Sequence, residues 1–208
     1  MRVSIIVSLI SVVGVAAARC PANCTDLSPT TSAISFVSVS EPPGNQFEVR
    51  FGAFAAGIGS QEQGTADLNA SVLSPRLNLN LSNYAAYLLP RLQLGGAINL
   101  EGRTSFAYTG IALTLPVGER FFFEPFVGGA IHNGSVTPAP GFSALGCPLL
   151  FHAGLSVGLA ITEHWNALAT FEHLSNGKEF GVDCGTNQAP SGSNQGLNNY
   201  GVGIGYAF

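Results

Sequence analysis

From Phe47 onward the chain breaks into stretches in which large apolar side chains alternate with small or polar ones. A period of two is the mark of a strand, because successive side chains point to opposite faces. Eight stretches read this way: 46–58, 65–77, 90–101, 104–116, 121–133, 150–162, 165–176 and 196–208. Each is long enough for a tilted membrane crossing, which takes ~9–11 residues. The last is the clearest. Tyr200, Val202, Ile204, Tyr206 and Phe208 alternate with Gly201, Gly203, Gly205 and Ala207. Glycine weakens a strand unless something packs over it, and a narrow barrel lumen, just filled by side chains, supplies that reason. The pattern predicts an all-β fold, an eight-stranded antiparallel transmembrane β-barrel of the outer-membrane type.

The connections suggest an orientation. Val117-Gly118-Glu119-Arg120 and Thr162-Glu163-His164 are tight, whereas 134–149 and 177–195 are long and rich in Pro, Gly, Ser and Asn. Such barrels keep short turns on the periplasmic side and longer loops outside. The connection 78–89 is long for the periplasmic side, and Glu101-Gly102-Arg103 is short for the outer one.

Composition fits a wall that meets hydrocarbon. Of 208 residues 46% are apolar and only 10% are charged, against ~25% charged in soluble domains. The net charge of −4 is diffuse, with no Lys/Arg cluster, so nucleic acid is not an expected partner. Arg2, the apolar run Ile5 to Val15 and Ala16-Ala17-Ala18 read as a signal peptide over 1–18. Residues 19–44, rich in Ser, Thr and Pro, read as an irregular leader, and 45–208 as the barrel. An uncleaved anchor needs ~20 apolar residues, more than this run offers. Lipid modification of Cys20 is disfavoured by Arg19 before it. An even count of cysteines in an exported chain permits disulfides; Cys147 with Cys184 would tie two loops together, and Cys20 and Cys24 remain.

Candidate chemistry sits at the end of the seventh stretch, Phe171-Glu172-His173-Leu174-Ser175-Asn176. By parity Trp165, Ala167, Ala169, Phe171, His173 and Ser175 share one face. That face is apolar until its last two members, so it is assigned to lipid, and Glu172 goes to the lumen. An imidazole and a hydroxyl then face outward where a polar group costs desolvation unless it has a partner or a task. The eighth stretch runs antiparallel beside the seventh, and its large-residue face extends back to Asn198. Hydroxyl, imidazole and amide thus meet on one exterior patch, the arrangement a serine hydrolase uses. A lone His-x-Ser is common, however, and interfacial His and Ser often only bond loop backbone. His132 and His152 read as rim residues. No metal-spaced cluster occurs, and the one Gly-x-Ser-x-Gly string, Gly154 to Gly158, falls inside the 150–162 strand stretch and not on the strand-to-helix turn that a nucleophile elbow needs.

The chain resembles the PagL-type lipid A 3-O-deacylases, or acyloxyacyl hydrolases. The likeness runs from about Phe47 to Phe208 and rests on Asp67-Leu68-Asn69-Ala70, Gly95-Gly96-Ala97-Ile98-Asn99, Gly128 to Gly134, Phe171 to Asn176 and Asn194-Gln195-Gly196-Leu197-Asn198. It implies an outer-membrane esterase that removes the ester-linked acyl chain at the 3-position of lipid A. Ser175 matches the nucleophile, His173 the general base, Asn194 a side-chain donor to the oxyanion, and Asn176 a supporting residue. No metal or cofactor is implied. The implied partners are lipopolysaccharide, outer-membrane lipid and the barrel-insertion machinery, whose terminal signal Phe208 resembles; a homodimer is left open. The best-known enzyme has a glutamate where this chain has Asn198. Either the amide is oriented to fix the imidazole tautomer, or another acid such as Glu179 or Asp183 folds in from the loop, or the enzyme is slow or inactive. The competing readings are a non-catalytic barrel that binds surfaces through its loops and, less well supported, a pore.

Overall fold

Strands inside hydrocarbon leave no N–H or C=O unpaired only if the sheet closes on itself. The computed structural model, which describes residues 44–77, 83–176 and 195–208, shows that closure. The strands are β1 (Glu48–Ala56), β2 (Thr65–Leu73), β3 (Arg91–Asn99), β4 (Phe106–Ala112), β5 (Leu115–Val117), β6 (Phe121–His132), β7 (Leu149–Ala160), β8 (Trp165–Ser175) and β9 (Leu197–Ala207). Their order is β4-β3-β2-β1-β9-β8-β7-β6-β5, and β4 also pairs with β6. All neighbours are antiparallel.

β4 and β5 are two pieces of one crossing, so nine segments make an eight-stranded barrel. The break has a cause. Register places Leu113 opposite Pro125 of β6. Leu113 N–H still reaches the Pro125 carbonyl at 3.0 Å, but proline has no N–H to return. Within the connection 78–89, residues Asn83–Ala86 form one helical turn, α1.

Period two sorts the side chains as expected. Val202, Tyr200, Ile204 and Phe208 are exposed on the outer face. Gly201 lies beneath the inward-facing Phe54 ring, where a Cβ would sit 2.5 Å from Phe54 Cδ1. At the end that carries the chain terminus, Phe47, His164, Trp165, Tyr206 and Phe208 form a chain of ring contacts, Trp165–Tyr206 the tightest at 4.9 Å between centroids. Such girdles belong at a membrane interface.

The lumen is polar and paired. Arg50 bonds Glu48 at 2.7 Å and Glu124 at 2.5 Å, and Arg91 bonds Glu48 at 2.7 Å. Asn166 donates to Glu48 at 2.9 Å, and Thr114 donates to Glu124. Further along, Tyr108 donates to Asn69 at 3.0 Å. A cavity of about 40 Å³ lies between Arg50, Asn69, Tyr108 and Glu172.

At the opposite end, hereafter the loop end, three connections are latched by one carboxylate. Buried Glu62 accepts Thr104 N–H at 2.9 Å, Thr104 Oγ1–H at 2.7 Å and Ser143 N–H at 3.0 Å. Ser143, Ala144 and Leu145 are buried. Cys147 is buried and disulfide-bonded. Cys20, Cys24 and Cys184, and with them the expected pairing, lie outside the described residues, as do the signal-peptide and leader assignments apart from Gly44.

Candidate active site

The alternation of β8 carries into space. Asn166, Leu168, Glu172, Leu174 and then Asn176 are buried, while Trp165 and Ala169 are exposed and Phe171, His173 and Ser175 half-buried. His173 and Ser175 therefore occupy the outer face at the loop end. Register sets His173 opposite Asn198 and Phe171 opposite Tyr200. The latter pair packs with centroids 4.9 Å apart, an aromatic step between the polar patch and the apolar band.

The His173 Nδ1 lies 2.7 Å from the Asn198 Oδ1. The other end of that amide donates from Nδ2 to the Ile58 carbonyl at 3.5 Å, while Ile58 N–H donates to the Asn198 carbonyl at 2.8 Å. The connection between β1 and β2 is thus attached to the site. Two glycines in the left-handed region, Gly57 (φ 61°) and Gly59 (φ 79°), flank Ile58 and turn its carbonyl toward β9. A side chain at either position would be strained.

The ring's remaining nitrogen faces the Ser175 end of the strand. Extending the register by one step sets Gly196 beside Ser175, and a Cβ on Gly196 would lie 3.2 Å from His173 Nε2 and 2.7 Å from Cε1. Ser175 stands two residues from His173 on the same face, ~6.8 Å along the strand at the usual rise. Among the described residues no hydrogen bond joins its hydroxyl to the ring. Unliganded sites commonly hold catalytic pairs farther apart than the reacting complex does.

On the inner side of the same wall, Glu172 is fully buried. Its carboxylate meets His152 Nε2 at 3.0 Å and accepts Asn199 Nδ2–H at 3.1 Å, while Asn199 Oδ1 accepts Gly57 N–H at 2.9 Å. Glu172 is a lumen residue, as parity required. His152 corrects the rim assignment: as the fourth residue of β7 it points inward, 2% exposed, among Phe106, Tyr108 and Phe126. His132 does sit at the loop-end rim, its Nε2 2.6 Å from the Cys147 carbonyl.

Asn194, the expected oxyanion donor, lies outside the described residues, as do Glu179 and Asp183. The chain just after Asn194 is anchored: Gln195 N–H donates to the Ala144 carbonyl at 3.1 Å, and Ala144 N–H to Gln195 Oε1 at 3.2 Å. Asn176 is buried beside Ser175. Sequence reasoning missed Ile58, whose contribution is a backbone carbonyl, and Gly196, which acts by having no side chain. Only the Gly-x-Gly spacing around Ile58 hinted at the first. Among the described residues no group of three His, Cys, Asp or Glu side chains is placed to hold a metal ion.

No protein-family model and no curated protein matches the sequence. Solved structures do match. The outer membrane enzyme PagL superposes with a TM-score of 0.55 at 16% identity, over 77% of this chain and 99% of PagL. The N-terminal β-barrel domain of Pseudomonas aeruginosa OprF gives 0.50 at 13% identity, over 79% of this chain and 98% of that one. A structure from the de novo design of transmembrane β-barrels gives 0.48 at 12% identity, over 81% and 98%. The chain has the fold of an outer-membrane β-barrel, a fold that PagL and the OprF domain share.

Proposed function

We propose that this chain is an outer-membrane serine esterase that removes the 3-hydroxyacyl chain esterified at the 3-position of lipid A. One observation carries the reading: an imidazole hydrogen-bonded to a neighbouring strand's amide stands two residues from a serine on the lipid-facing side of the barrel. A polar group gains nothing there unless it is used. The likeness of the motifs to the lipid A 3-O-deacylases supplies the substrate, and the fold likeness to PagL is consistent with it.

In this mechanism the ester arrives sideways from the outer leaflet, toward which the loop end points. Ser175 Oγ attacks the acyl carbonyl while His173 Nε2 takes its proton. The Asn194 side chain donates to the oxyanion of the tetrahedral intermediate. Collapse breaks the bond to the sugar oxygen, which leaves with the proton from the imidazolium. Water, deprotonated by the same ring, then releases the fatty acid and restores Ser175. Expression in an outer membrane followed by mass analysis of lipid A tests this. A loss of one hydroxyacyl chain, abolished by Ser175→Ala, is expected; an unchanged mass with folded protein overturns it.

The second reading is a barrel without chemistry, favoured by the amide at position 198 and by the fold shared with the OprF domain. On that reading Ser175→Ala changes nothing.

A further inference from the structure

An amide beside a catalytic imidazole carries a specific hazard. In a serine protease, replacing the triad's acid by an amide cost ~10⁴ in rate, largely because the imidazole was held in the wrong tautomer. The hazard arises because an amide has two ends of similar shape. Its oxygen accepts and its nitrogen donates. With the oxygen toward Nδ1, the ring carries its proton on Nδ1 and leaves Nε2 free as a base. With the amide turned over, Nδ2–H donates to Nδ1, the proton moves to Nε2, and the base is lost.

We infer that the Ile58 carbonyl decides between these arrangements: by fixing which way round the Asn198 amide lies, it selects the Nδ1–H tautomer of His173 and lets an amide serve where an acid is usual. The tautomer half of this stands on geometry, and the catalytic half rests on the esterase reading above. The two ends of the Asn198 side chain face two different groups, His173 Nδ1 at 2.7 Å and the Ile58 carbonyl at 3.5 Å. A carbonyl oxygen only accepts. Turning the amide over would therefore set Oδ1 against the Ile58 oxygen, acceptor facing acceptor, and lose the contact. The partner at Nδ1 can adapt, since either ring nitrogen of a neutral imidazole can carry the proton. The partner at Ile58 cannot.

The carbonyl is also held in place. Ile58 N–H donates to the Asn198 carbonyl at 2.8 Å, and Gly57 N–H donates to Asn199 Oδ1 at 2.9 Å. The left-handed Gly57 and Gly59 set its direction, and Glu62 latches the rest of that connection to Thr104 and Ser143. Asn198 is thus a positioning residue whose two side-chain ends meet an imidazole nitrogen and a backbone carbonyl. An aspartate of the same shape would present its second oxygen to the Ile58 carbonyl, so its charge brings no net advantage here.

The test uses the full chain, labelled with ¹⁵N-histidine and folded in detergent micelles. Long-range ¹⁵N–¹H correlation spectra at alkaline pH report each histidine's tautomer, with His173→Gln assigning the signal. His173 is expected as Nδ1–H in the wild type and shifted toward Nε2–H in Asn198→Ala. A wild-type Nε2–H ring, or an Asn198→Ala ring that stays wholly Nδ1–H, overturns the inference. Asn198→Asp, which keeps the side chain's shape, is expected to keep Nδ1–H without hydrolysing lipid A faster; a gain of about tenfold, some 1.4 kcal/mol, or more overturns it. If no variant hydrolyses lipid A, the spectra still decide the tautomer claim, and the esterase reading alone falls.

Discussion

Glu172 and His152 meet inside the barrel, carboxylate to Nε2 at 3.0 Å, and the residue after Glu172 carries the imidazole on the outer face. One strand thus runs two polar systems on opposite sides of the wall. The inner one joins β7, β8 and β9 through His152, Glu172 and Asn199. Glu172→Leu leaves two buried polar groups without their partner, so unfolding free energy should fall by about 1–3 kcal/mol. Urea titration followed by Trp165 fluorescence measures it. Turnover per folded molecule should be retained; its abolition with stability unchanged would contradict the separation of the two systems.

Arg50 is held between Glu48 and Glu124 at the terminal end of the lumen. Removing one member of such a buried cluster strands the others, and Arg50→Leu should destabilise by about 3–5 kcal/mol. The same titration reads it, and a change below about 1 kcal/mol, the usual worth of an exposed pair, would show that these charges are solvated.

The three bonds that Glu62 accepts at the loop end join residues far apart in sequence. Glu62→Ala should speed amide exchange at Thr104 and Ser143 by about fivefold or more, since each loses an acceptor and the local opening energy drops by at least ~1 kcal/mol. Exchange at β6 and β7 core amides should hardly move.

A Cβ at Gly196 would press on the edge of the His173 ring and on the Leu174 carbonyl, 2.7 Å and 2.8 Å away. Gly196→Val should cut lipid A hydrolysis by about a hundredfold, the scale of a misplacement near 1 Å, while heat-modifiable migration still reports a folded barrel. Wild-type activity in a folded Gly196→Val protein would mean that the ring is not used from this side.

Much of the fold was legible because a membrane wall imposes period two with little ambiguity. The eight stretches contain the observed strands to within about a residue at most ends. Parity also placed Glu172 inside and His173, Ser175 and Asn198 on one outer face. What escaped depended on partners that sequence does not name. The break at Leu113 required knowing that Pro125 lies opposite. The inward position of His152 was available from parity along β7, but its loop-side location suggested the rim. The Arg50 cluster depends on which charges face one another across a closed lumen. Ile58 contributes only a carbonyl, and backbone atoms leave no residue signature.

The claim on which the functional reading stands is that Ser175 is a hydroxyl activated by His173. An alkyl fluorophosphonate presented in detergent micelles, followed by peptide mass mapping, addresses it without requiring the native lipid. The account predicts a covalent adduct on Ser175 that disappears in His173→Ala. A folded barrel in which Ser175 stays unmodified, or is labelled equally well without the imidazole, would contradict it.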